Sequence, residues 1–388
     1  MSAPGPEHIL SQRLKKRFTE NALRTLRPAD FSKADFSSND YLGFARSNEL
    51  LDRCGEEWVK INHAVDQRFL GSGGSRLLSG DSVYAHDVEK HIADFFKSDS
   101  ALIFNSGYTA NLSLFSALPS RGGTVLYDDL AHASVRDGIR MSGCRAWPFR
   151  HNDLDHLEEQ LRKAGDEIWV VAESVYSMDG DSPDPERLVA LCEKYNAALI
   201  LDEAHSGGIM GEGGRGYAVH HAIEKRVFAR LYTFGKAFGV HGAAVCGNHT
   251  LINYLINFAR PFIYSTALPA HDLASIKTSL DYSVDSDHLR AELKALTEYF
   301  KDKSSSTILK SRLVNSNSPI QGLLVPGNLE VRRIAEACQS AGIDVRPVLS
   351  PTVKSGSERH RIIIHSYNTR KEIDALIHVV MTEIVDKS

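Results

Sequence analysis

Apolar residues recur along this chain in two alternating rhythms. Near the start, Leu10, Leu14, Phe18 and Ala22 fall at intervals of four, which predicts a helix over His8–Leu26 with one apolar stripe that should lie on something larger. From residue 83, helical spacing (Tyr84, Val88, Ile92, Phe95) gives way to the short apolar run ALIF (101–104), then to a helix at Leu112–Leu118 and the run TVLY (124–127). The alternation continues with helix Val135–Ser142, strand Ala146–Phe149, helix Leu154–Ala164, strand IWVVAE (168–173), helix Pro185–Tyr195 and strand AALILD (197–202). Strands Val227–Thr233 and Ala243–Cys246 follow. Continuous apolar strands separated by helices predict a mainly parallel sheet covered on both faces, an α/β domain.

Beyond about residue 272 the rhythm loosens, with helical stretches at Leu273–Leu280 and Leu289–Phe300 and a soft boundary at DKSSST. Strand Ile320–Val325, helix Leu329–Ala341, strands Ile343–Arg346 and Arg361–His365 and a last helix from Thr369 predict a smaller α+β unit. The expected organisation is an N-terminal segment (1–45), a large α/β domain (46–275) and a small C-terminal domain (276–388). Two stretches interrupt the pattern: DFSSNDYLGF (35–44) is dense in turn formers, and GSGGSRLLSG (71–80) is too poor in apolar residues to be an element. Backbone there turns sharply or approaches something closely.

Composition narrows the partners. The 388 residues carry 45 Lys+Arg against 49 Asp+Glu, a net charge of -4, with no basic block to meet nucleic acid or an anionic membrane. The opening MSAPGPEHILSQRLKKRF lacks the apolar core of a secretion signal, and no run approaches the ~20 apolar residues of a membrane span, so a soluble cytoplasmic protein is expected. Cys54, Cys144, Cys192, Cys246 and Cys338 lie far apart, giving neither zinc spacing nor a disulfide framework. No metal site is expected.

Two motif matches fail on context. Gly211-Glu-Gly213-Gly-Arg-Gly216 fits G-x-G-x-x-G but opens no clear helix, so a glycine turn is the better account. Asp202-Glu203-Ala204-His205 spells the D-E-A-H box of helicases, yet no phosphate loop stands upstream. His220-His221 shows no metal-ligand spacing.

The chemistry concentrates at strand ends. Asp202 closes an apolar strand, at the carboxyl edge where open α/β sheets bind ligands, and a charge there needs a cationic partner. Lys236 follows the next strand inside Thr233-Phe-Gly-Lys-Ala-Phe-Gly239, whose aromatic residues exclude water; a desolvated amine is a nucleophile towards carbonyls. Either residue alone is ordinarily a surface or loop position. Brought together, an aldehyde-capturing amine and a carboxylate that keeps a pyridine nitrogen protonated are what pyridoxal phosphate requires. Asn105-Ser106-Gly107-Tyr108 stands between a strand and a helix, where backbone N–H groups can receive a phosphate, or where the chain simply turns. His132 could lay its ring over an aromatic cofactor or cap a helix, and His205, three residues past Asp202, could share the cavity or be structural.

With those residues in view, SSNDYLG (37–43), GSGGSRLLSG (71–80), SVYSMDGD (174–181), LDEAHSGGIMGEGGRG (201–216), TFGKAFG (233–239) and YSTALP (264–269) together resemble the α-oxoamine synthases, pyridoxal-phosphate transferases of fold type I. The resemblance runs from about residue 20 to the C-terminus and implies an obligate homodimer with sites at the subunit interface. It implies that Lys236 holds the cofactor and later removes the Cα proton, that Asp202 pairs with the pyridinium nitrogen and that His132 stacks on the ring. His205 and Ser177 would meet the phenolic oxygen or its surroundings; Ser106, Gly107 and Tyr108 would bind the phosphate, Thr233 would neighbour phosphate or lysine, and Ser265 and Thr266 would arrive from the partner subunit. Arg361 would grip the amino-acid carboxylate, with Asn39 near substrate and Arg24 near the acyl chain.

The implied reaction is a decarboxylative condensation of an amino acid with an acyl thioester carried by coenzyme A or a carrier protein. The segment VRPVLSPTVKSGSERHRI resembles the branch that joins L-alanine to a pimeloyl thioester in biotin synthesis, with two extra residues between Arg346-Pro347 and Pro351-Thr352. Glycine- and serine-using branches stay open at this point, as do an aminotransferase with the same Lys/Asp pair and a nucleotide-driven DEAH-type binding protein.

Overall fold

The computed structural model describes residues 5–63 and 70–385. They form two compact units: one holds Asn39–Ser177 and Asp181–Glu292, the other the chain up to Ser38, the short stretch Met178–Gly180 and the residues from Leu293 on. The first strand, β1 (Ala34–Asp35), belongs to the smaller unit. The larger unit contains β2 (Ser100–Phe104), β3 (Thr124–Asp128), β4 (Arg145–Phe149), β5 (Ile168–Glu173), β6 (Ala198–Asp202), β7 (Ala229–Thr233) and β8 (Ala243–Gly247). They make one sheet in the order β2-β8-β7-β6-β5-β3-β4.

All neighbours pair in parallel except β8, which runs antiparallel to both β2 and β7. A parallel return needs a crossover of about a dozen residues or more, and the link 234–242 between β7 and β8 is shorter, so the chain doubles back. The apolar runs are continuous because both faces are covered. Val125, Val171, Ile200 and Leu231 pack with Leu114, Phe115, Val135 and Ile139 on one side. Leu126, Val170, Leu199 and Leu201 pack with Leu157, Leu161, Leu188 and Val189 on the other. Each such side chain contributes about 1.5–3 kcal/mol on burial, against about 0–1 kcal/mol for an exposed ion pair. Two-sided apolar burial therefore holds the sheet, and it aims the carboxyl ends of β3, β5, β6 and β7 at one edge.

The smaller unit has a three-stranded antiparallel sheet in the order β11-β12-β9, from β9 (Ile320–Leu324), β11 (Pro347–Val348) and β12 (Arg359–Ile363). β10 (Ile343–Asp344) pairs in parallel with β1, and helices Asn328–Ser340 and Arg370–Val385 accompany them.

Three elements differ from those expected. The first helix spans Pro6–Thr19 only, ending before Asn21, whose φ is 51°, and it contributes no buried residue. Its stripe therefore lies on nothing among the described residues: Leu10 and Leu14 are 58% exposed and Phe18 69%. Helices Asn48–His63 and His249–Phe258 were not foreseen, although each carries an apolar stripe at helical spacing. No helix among the described residues is long and apolar enough to cross a membrane.

Candidate active site

Four strand ends build one cleft of about 240 Å³ in the larger unit, lined by Asp202 and Lys236 together with His132, Glu173, Ser177 and His205. Asp202, the last residue of β6, is 5% exposed; its Oδ2 accepts from Asn111 Nδ2 at 2.8 Å and its Oδ1 from the Ala204 N–H at 3.0 Å. Both bonds favour the carboxylate and fix its plane. Asn111 also donates to Ser134 Oγ at 3.0 Å, and that hydroxyl lies 2.7 Å from His132 Nδ1. A buried polar chain thus ties the acid of β6 to the imidazole that follows β3.

His132 caps the helix Ala133–Ser142, its Nδ1 accepting from the Ser134 N–H, so in the neutral ring the proton sits on Nε2. Its main-chain N–H donates to Glu173 Oε1 at 2.7 Å, and the Ser177 N–H donates to Glu173 Oε2 at 3.1 Å. Desolvation lowers the His132 pKa; the charge of Lys236 acts in the same direction and that of Asp202 against it. Glu173 ends β5 directly beside Asp202 in the strand register, and burial with that neighbouring charge pushes its carboxyl up to about 8. One acid of the adjacent pair is thereby kept protonated near neutrality.

Lys236 stands past β7, with its Nζ 2.8 Å from His205 Nε2. His205 Nδ1 in turn lies 2.7 Å from the hydroxyl of Tyr41, a fully buried residue of the SSNDYLG turn. Thr233 closes β7 and donates to the Ala204 carbonyl at 3.4 Å. On the far wall the helix Gly107–Ala117 begins at the cleft; Ser106 is its N-cap, accepting from the Thr109 N–H at 3.2 Å. The first amide N–H groups of a helix have no partner within it, which suits an anion. A methyl at Gly107 would collide with Thr233 Cγ2, so only glycine lets this turn meet β7. Tyr108 is held by Asp137 and presents its ring edge-on to His132, with centroids 6.3 Å apart.

The expected residues thus divide. Ser106, Gly107, Tyr108, His132, Ser177, Asp202, His205, Thr233 and Lys236 meet in the cleft. Ser265 and Thr266 line a separate small cavity with Arg76 and Asn105. Asn39 sits in the larger unit beside Tyr41, whose hydroxyl is 3.4 Å from Asn39 Oδ1. Arg24 and Arg361 belong to the smaller unit, Arg24 donating to Thr352 Oγ1 at 2.7 Å and Arg361 lying opposite Gly322 in the β12–β9 ladder. Gly211, Gly213, Gly214 and Gly216 all have positive φ, from 64° to 91°, and form a turn ahead of a four-residue helix.

Sequence reasoning missed Glu173, Asn111 and Tyr41. Signals existed for the first two: IWVVAE ends in an acid as AALILD does, and Asn111 interrupts an apolar helix. Tyr41 stood inside the motif SSNDYLG, but its value depends on a contact across the fold.

The donor set fits pyridoxal phosphate: an amine, a buried carboxylate, an imidazole on the wall and a helix start bounded by a glycine that cannot be enlarged. A family model for class I and II aminotransferases matches residues 32–380. An 8-amino-7-oxononanoate synthase of Emericella nidulans is 36% identical over 399 residues, covering 96% of this chain and 94% of that one. Among solved structures the chain is similar to an 8-amino-7-oxononanoate synthase from Francisella tularensis, with TM-score 0.78, 27% identity and 92% and 99% of the two chains covered. A serine palmitoyltransferase from S. paucimobilis, solved with a bound PLP-myriocin aldimine, gives TM-score 0.86 over 97% of both chains at 24% identity, a likeness of fold. The cleft, the sheet that shapes it and these relatives agree: the chain belongs to the class I and II aminotransferase family and, within it, to the α-oxoamine synthases, pyridoxal-phosphate-dependent acyltransferases of fold type I.

Proposed function

We infer that this enzyme condenses L-alanine with a pimeloyl thioester to give 8-amino-7-oxononanoate, carbon dioxide and the free thiol, the product serving biotin synthesis. One observation carries the chemistry: Lys236 and Asp202 line a single cleft, with His132 on the same wall. The choice of substrates rests on the synthases named above and on the segment around Arg346 and Arg361.

Pyridoxal phosphate, when bound, supplies an aldehyde that takes up the amino acid and a protonated ring that absorbs negative charge from its Cα. The chain's own residues do the rest. Asp202 would pair with the ring nitrogen and keep it protonated; Asn111 and the Ala204 N–H hold that carboxylate in place. Ser106 and the N–H groups of Gly107 and Tyr108 would hold the phosphate, with Thr233 beside them, while His132 would cover the ring and Ser177 and His205 would address its phenolic oxygen; all of them line the cleft. Lys236 Nζ would remove the Cα proton; a C–C bond would form to the thioester carbonyl as the C–S bond breaks and the thiolate leaves, and once the Cα–carboxylate bond breaks to release carbon dioxide a proton would return to Cα. Arg361 grips the amino-acid carboxylate, and Asn39 and Arg24 attend substrate. Ser265 and Thr266 complete the phosphate site from a second copy in a homodimer.

A panel of amino acids against acyl-CoA and acyl-carrier donors, followed by thiol release, tests this reading. Alanine with pimeloyl thioester is expected to lead. Strong turnover with glycine or serine alone overturns the substrate assignment, and amino-group exchange without thiol release overturns the reaction. Lys236→Ala is expected to lose at least about a thousandfold in rate, the scale on which removing a nucleophile or base acts.

A further inference from the structure

We propose that Tyr41 is a positioning residue that holds His205 through its Nδ1 and, through it, raises the proton affinity of Lys236. This rests on the reading of Lys236 given above and names a residue which that reading leaves without a role. The geometry is a line of three contacts: Lys236 Nζ to His205 Nε2 at 2.8 Å, His205 Nδ1 to Tyr41 Oη at 2.7 Å, and Tyr41 Oη to Asn39 Oδ1 at 3.4 Å. His205 is 5% exposed and Tyr41 fully buried, so water does not readily replace either partner.

The direction of these bonds depends on one proton. An ammonium has donors and no acceptor, so with Lys236 protonated His205 Nε2 must accept. The neutral ring then carries its hydrogen on Nδ1 and donates it to Tyr41 Oη, whose own hydrogen points to Asn39 Oδ1. With Lys236 as the free amine, the line can reverse: Tyr41 O–H donates to Nδ1, and Nε2–H donates to Nζ. A tyrosine hydroxyl both donates and accepts, so it serves His205 in either state. Phenylalanine serves neither. The loss is greater with Lys236 charged, because the ammonium on Nε2 polarises the ring and strengthens the bond that Nδ1–H donates to Tyr41 Oη.

Other ionisable groups face this amine or line its cleft: Asp202 from β6, Glu173 from β5, His132 after β3, His241 ahead of β8 and Tyr108 at the start of the helix Gly107–Ala117. Asp40, next to Tyr41, is held by the Ala45 N–H and by Arg46 at 3.3 Å. These set the level of proton affinity in wild type and variant alike, and Tyr41→Phe alters none of them.

Two readouts on the full chain test the assignment. In ¹⁵N-histidine NMR of protein without added cofactor, with His205 assigned by His205→Gln, the wild type is expected to show the Nδ1–H form at neutral pH and Tyr41→Phe a shift away from it. In pH titrations of cofactor capture, followed by visible absorbance, Tyr41→Phe is expected to move the midpoint down by about one unit, and to add no shift in the His205→Gln background. Unchanged nitrogen shifts in Tyr41→Phe overturn the proposal. So does an equal midpoint shift with and without His205, which would mark a general loss of packing. Should the wild type fail to capture the cofactor, the condensation reading falls, while the nitrogen shifts still decide the role of Tyr41.

Discussion

His360 is fully buried on β12 between two arginines, and neither ring nitrogen has a hydrogen-bond partner among the described residues. Burial pushes its pKa from 6.5 down to about 4. The sign follows: the unfolded chain binds the proton more tightly, so the stability tied to this ring is present above pH 6.5 and is lost as pH falls from 6.5 towards 4. His360→Leu, close in volume, is expected to stabilise by about 1 kcal/mol at pH 8, by removing an unsatisfied polar group, and by about 2 kcal/mol more at pH 5. Urea unfolding at the two pH values checks this; equal gains at both would refute it. His151 is the opposite case. Burial works against its charge, but hydrogen bonds to Asp128 and Asp181, each at 2.9 Å, push its pKa up to about 10. Asp128, Asp129 and His151 gather three donor atoms within 4.8 Å. Both histidines stood in the sequence; their opposite charge states come from neighbours on other strands and loops.

At the scale of elements, the start of the helix Gly107–Ala117 is the most exacting junction, because its first turn must come within a methyl group's width of β7. Gly107→Ala is expected to keep its circular dichroism and to bind pyridoxal phosphate at least tenfold more weakly, since Thr233 must give way. Adding Thr233→Ser removes the Cγ2 methyl and should restore part of that affinity, measured by absorbance titration. Undiminished binding by Gly107→Ala alone would place the phosphate elsewhere. The strand–helix alternation from residue 83 to 246 was legible because the inner strands are apolar on both faces and most of the helices on one. The antiparallel course of β8 was legible only in the shortness of its link to β7. The two unforeseen helices do carry apolar stripes at helical spacing, and they bury Leu50 in the one and Leu251, Ile252 and Leu255 in the other.

For the whole molecule, the homodimer proposal predicts a light-scattering mass twice the chain's 42.9 kDa; the monomer mass across a dilution series would remove it. A second copy would also offer the exposed stripe of Leu10, Leu14 and Phe18 the surface it lacks within the described chain. Residues before Ser38 fold with residues from the far end: β1 pairs with β10, and the Ile363 N–H donates to the Phe36 carbonyl at 2.9 Å. Local spacing carries no information about such pairing, which is why the opening segment read as a unit of its own. The sequence by itself determined the α/β class, the strand ends that carry Asp202 and Lys236, and the motifs that mark the family, because hydrophobic period and residue chemistry are local properties. Only the tertiary structure decided that Glu173 would stand beside Asp202 with its proton retained, that Asn111 would brace that acid, and that Tyr41 would reach His205. Each depends on side chains distant in sequence meeting where water is excluded, and there burial and the nearest charge set what a group can do.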